Sequence, residues 1–502
     1  MVIARINKLK QSFFAHPWGW AFGISAILML LRLWYLTFSP INLSPDEAHY
    51  WDWSRQLQWS YYSKPPMVAW LIALSTSIFG HTLIGVRFFA LLGQVVIGLC
   101  ALDLARRWKG AGAGFLALAL VHISPEFAAG GLLMTPDIPT TTFWALALVV
   151  LSRIKWEANA PQWKYFIGAG LLLGLAGLSK YSAVFFYILL GLFMLFTLAA
   201  RRWFLKPQVY AMGLLSALMT LPVFYWNWQH EWIGFLHVMG QAGGSGRFDW
   251  LGSLENFFGG QLAVVGPVTF LVMLYWWFFP KKREGLERFV WAFSAPLFAF
   301  FIYKAFGAKV QANWPVLAVF GGFVGVAGYM VDARKWLKVT FVLGLVLSGF
   351  ISLVAHDTNM LRAMGIDLPI KRDPTKPTLG WQGLGEQLSP LVNDNTIILT
   401  TRYQTTGPLG FYTKGTPNVL YVNPGYRRQN QYDLWSWPDL GGKEVLYVNE
   451  SKTLEPIVAK GFDQCRYIQK LTATRGPLVL RTAHVYHCTG YKGITRPRPE
   501  NY

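Results

Sequence analysis

Charged side chains are scarce in this sequence. Asp, Glu, Lys and Arg make up 14% of its 502 residues, whereas 53% are hydrophobic. A soluble domain carries roughly a quarter charged residues, so most of this chain is excluded from water. Acidic groups are rarer than basic ones, 25 against 45, which leaves a formal net charge of +20. Cysteine is nearly missing at three residues, and no Cys/His cluster with metal spacing occurs. Internal repeats, low-complexity tracts, a Walker loop and a GxSxG elbow are also missing, so ATP hydrolysis and serine-hydrolase chemistry have no motif support.

What the chain has instead is long apolar runs. They fall at 18–38, 84–105, 112–133, 138–154, 165–179, 182–200, 208–227, 256–279, 289–306, 310–331 and 336–355, which predicts about eleven crossings of roughly 30 Å of hydrocarbon. The first run follows a charged start, lacks a small-residue cleavage site and reads as a retained helix. Basic residues fall in every second loop: Arg5, Lys8 and Lys10; Arg106, Arg107 and Lys109; Arg153, Lys155 and Lys164; Arg201, Arg202 and Lys206; Lys281, Lys282, Arg283 and Arg288; Arg334, Lys335 and Lys338. Topology therefore explains the positive charge better than nucleic acid does, and it sets these loops and the N-terminus in the cytoplasm. An odd number of crossings then places the C-terminus outside. Residues 1–355 read as a transmembrane domain and residues 356–502, rich in short runs such as "TIILTT" and "EVLYVNE", as a small extracytoplasmic α/β domain. In that location a Cys465–Cys488 disulfide is allowed.

Chemistry concentrates at the outer ends of the runs. The loop from about 40 to 80 is too apolar for water and too interrupted by proline and charge to span, so it is expected to form interfacial helices. It opens with Asp46 and Glu47, adjacent carboxylates at the rim of hydrocarbon. These serve either function or a helix N-cap, with Ser44 or Asp46 capping a helix that begins at Glu47. Asp137 lies in a second outer loop and could likewise start the next helix. Glu126 stands eleven positions before it, which on a straight helix is about 16 Å deeper. That depth suggests a structural partner, with His122 one turn away. Lys64, Lys180 and Lys309 are cations on the face where cations are rare, so each is either a snorkelling lysine or a ligand for a lipid phosphate. Tyr61, Tyr62, His49, Asn313 and Trp314 are candidates to touch substrate, although most aromatic residues at such depths form an interfacial belt.

Read together, Asp46–Glu47 after the first run, "KPPM", "MTPDIPTTTFW", "GLAGLSKYSA", "NWP", "RYQTTGPLGFY" and "RRQNQYDLW" resemble the bacterial branch of the protein mannosyltransferase family. This is glycosyltransferase family 39 of the membrane-embedded GT-C class, in which the lipid A aminoarabinose transferase is a more distant relative. The resemblance covers nearly the whole chain. It implies a mainly α polytopic bundle that moves a sugar from a polyprenyl-phosphate donor with inversion. Asp46 would be the general base, Lys64 the donor-phosphate ligand, and Lys309 the match to a lysine before the tenth span of the aminoarabinose transferase. Asp137 would orient the acceptor or share a divalent cation with Asp46, although no cofactor is required. The long β-trefoil domain of eukaryotic relatives has no counterpart, so a glycolipid or glycan acceptor such as lipid A or lipopolysaccharide is expected ahead of a protein.

Two other functions fit many spans with outer cations. A transporter of lipid-linked sugars would place polar residues near mid-membrane in paired, broken halves, whereas here the charges crowd one face. An O-antigen ligase or polymerase would use a large outer loop rich in arginine, and the loop from about 229 to 255 holds only Arg247.

Overall fold

A computed structural model describes residues 16–242, 249–279 and 281–496. Arg5, Lys8, Lys10 and Arg247 lie outside the described residues. Among the described residues, five helices are long and apolar enough to cross a bilayer: Pro17–Leu36, Leu83–Lys109, Pro207–Gln229, Gly285–Ala305 and Lys335–His356. Three further helix pairs pass the same test when joined but are sharply bent, and shorter apolar helices such as Asp137–Leu151, Trp163–Gly177 and Val316–Val331 lie between them. Leu343, Val346 and Leu353 stand exposed along the last long helix, a face suited to hydrocarbon as its solvent.

The bends correct the reading of the runs. The run at 112–133 breaks by 62° between Ala111–Ile123 and Pro125–Leu132, because Pro125 lacks the amide that would continue the ladder. The run at 256–279 breaks by 112° at Gly266, whose φ of 96° is costly for other residues. The run at 182–200 likewise bends by 116°, between Phe196 and Leu198.

The chain folds into two compact units. The first comprises the chain up to Tyr35, Arg87–Tyr225 and Ala242–Ala355. It is helical, and Val316–Val331 at its centre is buried along almost its whole length. Gly325 lets a neighbouring helix close in: a Cβ there would sit 2.4 Å from the Trp276 ring. At the basic ends, buried Asp103 draws in Arg107 at 2.9 Å and Arg153 at 3.3 Å, so two of the basic loops meet on one carboxylate.

The second unit comprises Leu36–Val86, Trp226–Gln241 and His356–Tyr502. Its five-stranded sheet has the order β2-β1-β3-β5-β4, with β1 Thr396–Thr400, β2 Val419–Tyr421, β3 Glu444–Asn449, β4 Phe462–Arg475 and β5 Leu478–Tyr491. β1 pairs with β2 and β3 in parallel, and β3–β5 and β5–β4 are antiparallel. Leu446 and Val448 pack on one face and Val445 and Tyr447 on the other. Both faces are covered, which is why these strands read as unbroken apolar runs rather than as an alternation. Cys465 and Cys488, directly opposite on β4 and β5, form a disulfide.

The first loop is knitted into this unit. The Leu43 amide donates to the Tyr412 hydroxyl at 2.7 Å, and the Asn42 amide donates to the Thr378 carbonyl at 2.8 Å. Helix Pro45–Ser54 packs on helix Tyr403–Tyr412 at Gly407, where a Cβ would lie 2.7 Å from the Ala48 carbonyl carbon and oxygen. Only glycine admits that approach.

Candidate active site

The second unit holds Asp46 on the first turn of helix Pro45–Ser54. The N-cap is Ser44. Its Oγ accepts from the Glu47 amide at 3.2 Å, and Glu47 Oε2 accepts from the Ser44 amide at 2.9 Å, a reciprocal capping box. Glu47 is fully buried and occupied in holding the helix end. Asp46 is not a cap, and its side chain remains exposed. The Tyr403 hydroxyl donates to its carboxylate, and Lys64 sets a positive charge against it. Loss of hydration pushes the Asp46 carboxyl above the ordinary carboxylate range, opposed by Lys64 and Tyr403 and reinforced by Glu47. A carboxylate that solvent reaches and protein encloses belongs to a recess.

Lys64 precedes Pro65 and Pro66, which keep it out of helix until Met67–Phe79 begins. The Lys64 carbonyl takes the Tyr61 amide at 3.1 Å, closing a tight turn that fixes where its side chain departs. Lys64 also sets its charge against His237, beside which one Arg428 guanidinium nitrogen lies 3.0 and 2.9 Å from the two ring nitrogens. Burial and these two cations hold His237 down to about 3, so the imidazole is neutral and can accept from Arg428. The Tyr62 ring packs on His237 at 4.7 Å, and Arg428 sets its charge against Tyr403.

Behind this front lies an aromatic wall. His49 stacks on Tyr432 at 4.6 Å, and Tyr61 stacks on Trp53 at 4.5 Å while its hydroxyl donates toward the Trp53 carbonyl at 3.1 Å. His49, Tyr61 and Tyr62 are all buried, so they shape the recess from beneath its surface. Asp52 is also buried, bound by Arg55 at 3.3 Å, and loss of hydration raises it to about 6.

In the first unit, Asp137, Lys180 and Asn313 come together. Asp137 opens helix Asp137–Leu151 without making a side-chain cap bond. Its carboxylate pairs with Lys180 Nζ at 2.5 Å and accepts from Asn313 Nδ2 at 3.0 Å. Glu126 acts electrostatically on this pair, contrary to the depth inferred from a straight helix, because the chain breaks at Ser124–Pro125. His122 pairs instead with Arg32 at 3.2 Å. Trp314 packs against the helical core, and Lys309 is exposed with no side-chain hydrogen bond or ion pair among the described residues. Among the described residues no group of three or more His, Cys, Asp or Glu side chains is placed to hold a metal ion.

Sequence reading missed Tyr403, Arg428 and His237. Tyr403 and Arg428 lie within the "RYQTTGPLGFY" and "RRQNQYDLW" stretches, so part of the signal was present without its role.

Residues 63–226 match the family described as dolichyl-phosphate-mannose-protein mannosyltransferase. The chain is 30% identical over 334 residues to the lipid A galacturonosyltransferase RgtD of Rhizobium johnstonii, covering 65% of this chain and 68% of that protein. It is 31% identical over 226 residues to the undecaprenyl phosphate-alpha-4-amino-4-deoxy-L-arabinose arabinosyl transferase of Pseudomonas aeruginosa, covering 41% of this chain but only 35% of that protein. The crystal structure of ArnT from Cupriavidus metallidurans superimposes over 93% of this chain and 98% of its own, with a TM-score of 0.62 in the apo state and 15% identity. The same protein bound to undecaprenyl phosphate gives a TM-score of 0.60 at 16% identity.

Proposed function

We propose, from the premise that this chain belongs to the GT-C family of membrane glycosyltransferases that includes the lipid A galacturonosyltransferase above, that Asp46 and Lys64 are the base and the phosphate ligand of its sugar transfer. The protein is a multi-pass membrane glycosyltransferase. Its donor is a polyprenyl-phosphate sugar of the undecaprenyl type and its acceptor is lipid A or a related envelope glycolipid. The active site faces away from the cytoplasm at a bacterial inner membrane. The observation that carries this reading is the accessible Asp46 carboxylate, hydrogen-bonded by Tyr403 and opposed by Lys64 in one recess.

The chemistry follows from that arrangement. Asp46 takes the proton of an acceptor hydroxyl, whose oxygen attacks the anomeric carbon from the face opposite the phosphate. The bond from that carbon to the phosphate oxygen breaks, and polyprenyl phosphate leaves with the electron pair. Negative charge grows on the departing oxygen, and Lys64 stabilises it more than it stabilises the bound donor. The raised carboxyl of Asp46 makes it a stronger base than an ordinary aspartate. Glu47 fixes the helix that carries the base, and within the first unit the Lys180 charge is committed to Asp137.

Asp46→Asn should lower transfer by about 10²- to 10⁴-fold while donor binding persists. The residual rate should also lose the fall on acidification that protonation of Asp46 imposes in the wild type. Lys64→Ala should weaken use of the lipid-phosphate donor. Full activity of Asp46→Asn removes the base assignment, and an unchanged donor KM in Lys64→Ala returns that lysine to an interfacial role.

The relatives are named for sugars of opposite charge. Galacturonate carries a carboxylate, and 4-amino-4-deoxy-L-arabinose carries an amine.

A further inference from the structure

We infer that Arg428, anchored on His237, is a specificity-determining residue that reads a carboxylate on the transferred sugar, so that the donor sugar is an acidic hexose. The inference rests on the proposed function and concerns the same recess.

The argument is one of charge. Among the described residues of the second unit, Lys64 acts on Asp46, Arg428 acts on the Tyr403 that holds Asp46, and Asp46 itself is an accessible acid. The acid is needed for the acceptor proton, and one cation is needed for the phosphate. A second cation remains. No carboxylate of the protein forms an ion pair with Arg428 among the described residues, and its only side-chain hydrogen-bond partner there is the neutral His237. A neutral acceptor fixes the direction of the guanidinium without cancelling its charge, and the other N–H groups stay available to a ligand.

The two cations differ in the anions they suit. A lysine ammonium is a point charge on a flexible stem and serves a phosphate that moves off during the reaction. A guanidinium is a planar fork that matches a carboxylate with two parallel hydrogen bonds. Arg428 is one residue removed from the base, since it acts on Tyr403 and Tyr403 holds Asp46. That is the station of a group on the sugar ring rather than of the anomeric carbon. An amino sugar there would bring its ammonium against Arg428, which forms no ion pair with a carboxylate among the described residues. The recess therefore selects against a cationic sugar as well as for an anionic one.

The test uses the full-length protein with lipid A as acceptor. Two donors are compared, undecaprenyl phosphate carrying galacturonate and the same carrier carrying galactose, which differ only in carboxylate against hydroxymethyl. The wild type should prefer galacturonate in kcat/KM by on the order of ten- to a hundred-fold, the strength of hydrogen bonds between charged groups. Arg428→Ala should bring the two donors within about two-fold of each other, mainly through KM for galacturonate. Arg428→Lys should keep part of the preference, and His237→Leu should erode it by freeing the guanidinium.

Equal loss for both donors in Arg428→Ala would assign the arginine to phosphate or to folding and overturn the inference. So would a wild type indifferent to the carboxylate, or a variant whose defect appears only with phosphorylated acceptor. Those failures occur in an active transferase. A wild type that moves no sugar from any polyprenyl-phosphate donor instead brings down the proposed function, and this inference with it.

Discussion

Gly407 offers the sharpest test of how the tail positions Asp46, the proposed base. Alanine at this position puts a Cβ 2.7 Å from the Ala48 carbonyl carbon and oxygen and 2.9 Å from the His49 amide, one turn from Asp46 on the same helix. Ordinary contact begins near 3.4 Å, so the helix carrying Asp46 must retreat by about 0.7 Å (3.4 − 2.7). Backbone cannot swing aside as a long side chain can. Overpacking of this kind costs about 1–3 kcal/mol, offset by up to about 1 kcal/mol from replacing glycine inside a helix, for a net loss of about 1–2 kcal/mol. The effect on rate should be larger than this suggests, because a misplacement of about 1 Å in a reacting group costs on the order of 10²-fold. Gly407→Ala should therefore lower kcat by at least about ten-fold while thermal unfolding in detergent shifts by only a few degrees. If kcat stays within two-fold of the wild type, either Asp46 is not the base or its position does not depend on the tail.

Three other expectations follow from groups described above. The Asp137–Lys180 pair is partly buried, with side-chain exposures of 15% and 19%, so a double-mutant cycle with alanine at both positions should give a coupling of about 1–2 kcal/mol; additivity within about 0.3 kcal/mol would show that the pair is idle. The Cys465–Cys488 bridge closes a separation of 23 residues; replacing both with alanine should cost about 3 kcal/mol, read as a lower unfolding midpoint that reductant reproduces in the wild type and leaves unmoved in the variant. Asp52 rises from 3.8 to about 6 in the fold, and a carboxyl raised by folding favours the protonated state, so its contribution is largest below about pH 4 and is lost as pH climbs toward 6. The loss is about 3 kcal/mol at 1.36 kcal/mol per unit; Asp52→Asn should flatten this part of the stability profile, and an unchanged slope would show that the carboxyl is not hydrated less in the fold than in the unfolded chain.

The amount legible from sequence differs between parts of the molecule for physical reasons. The apolar runs announce themselves because hydrocarbon admits few polar side chains, and Asp46, Lys64 and Asp137 stand out at their ends for the same reason. Counting residues along a run assumes a straight helix, and that assumption misplaces Glu126, because the break at Ser124–Pro125 folds it toward Asp137 and Lys180. The role of Glu47 was missed: the sequence reading starts the helix at Glu47, whereas it starts at Pro45 and Glu47 closes a capping box with Ser44. Tyr403, Arg428 and His237 were not readable. Their contacts join segments some 170 to 360 positions apart, and no local periodicity records a pairing at that range. His237 in particular follows a reversal in which Glu231 and Trp232 both adopt positive φ, held by the Trp232 amide donating to the Asn227 carbonyl at 2.7 Å; nothing in the residue types announces such a turn.

Because the tail shares a compact unit with Leu36–Val86 and Trp226–Gln241, a cut near residue 356 would not yield a free-standing soluble fragment. It would strip Leu43, Tyr62 and the Asp46 helix from the partners that complete their hydrogen bonds and packing. Chimeras between transferases of this kind should accordingly exchange three pieces of chain at once, and a graft of the C-terminal part alone should leave the host with a misassembled catalytic recess whatever its donor sugar.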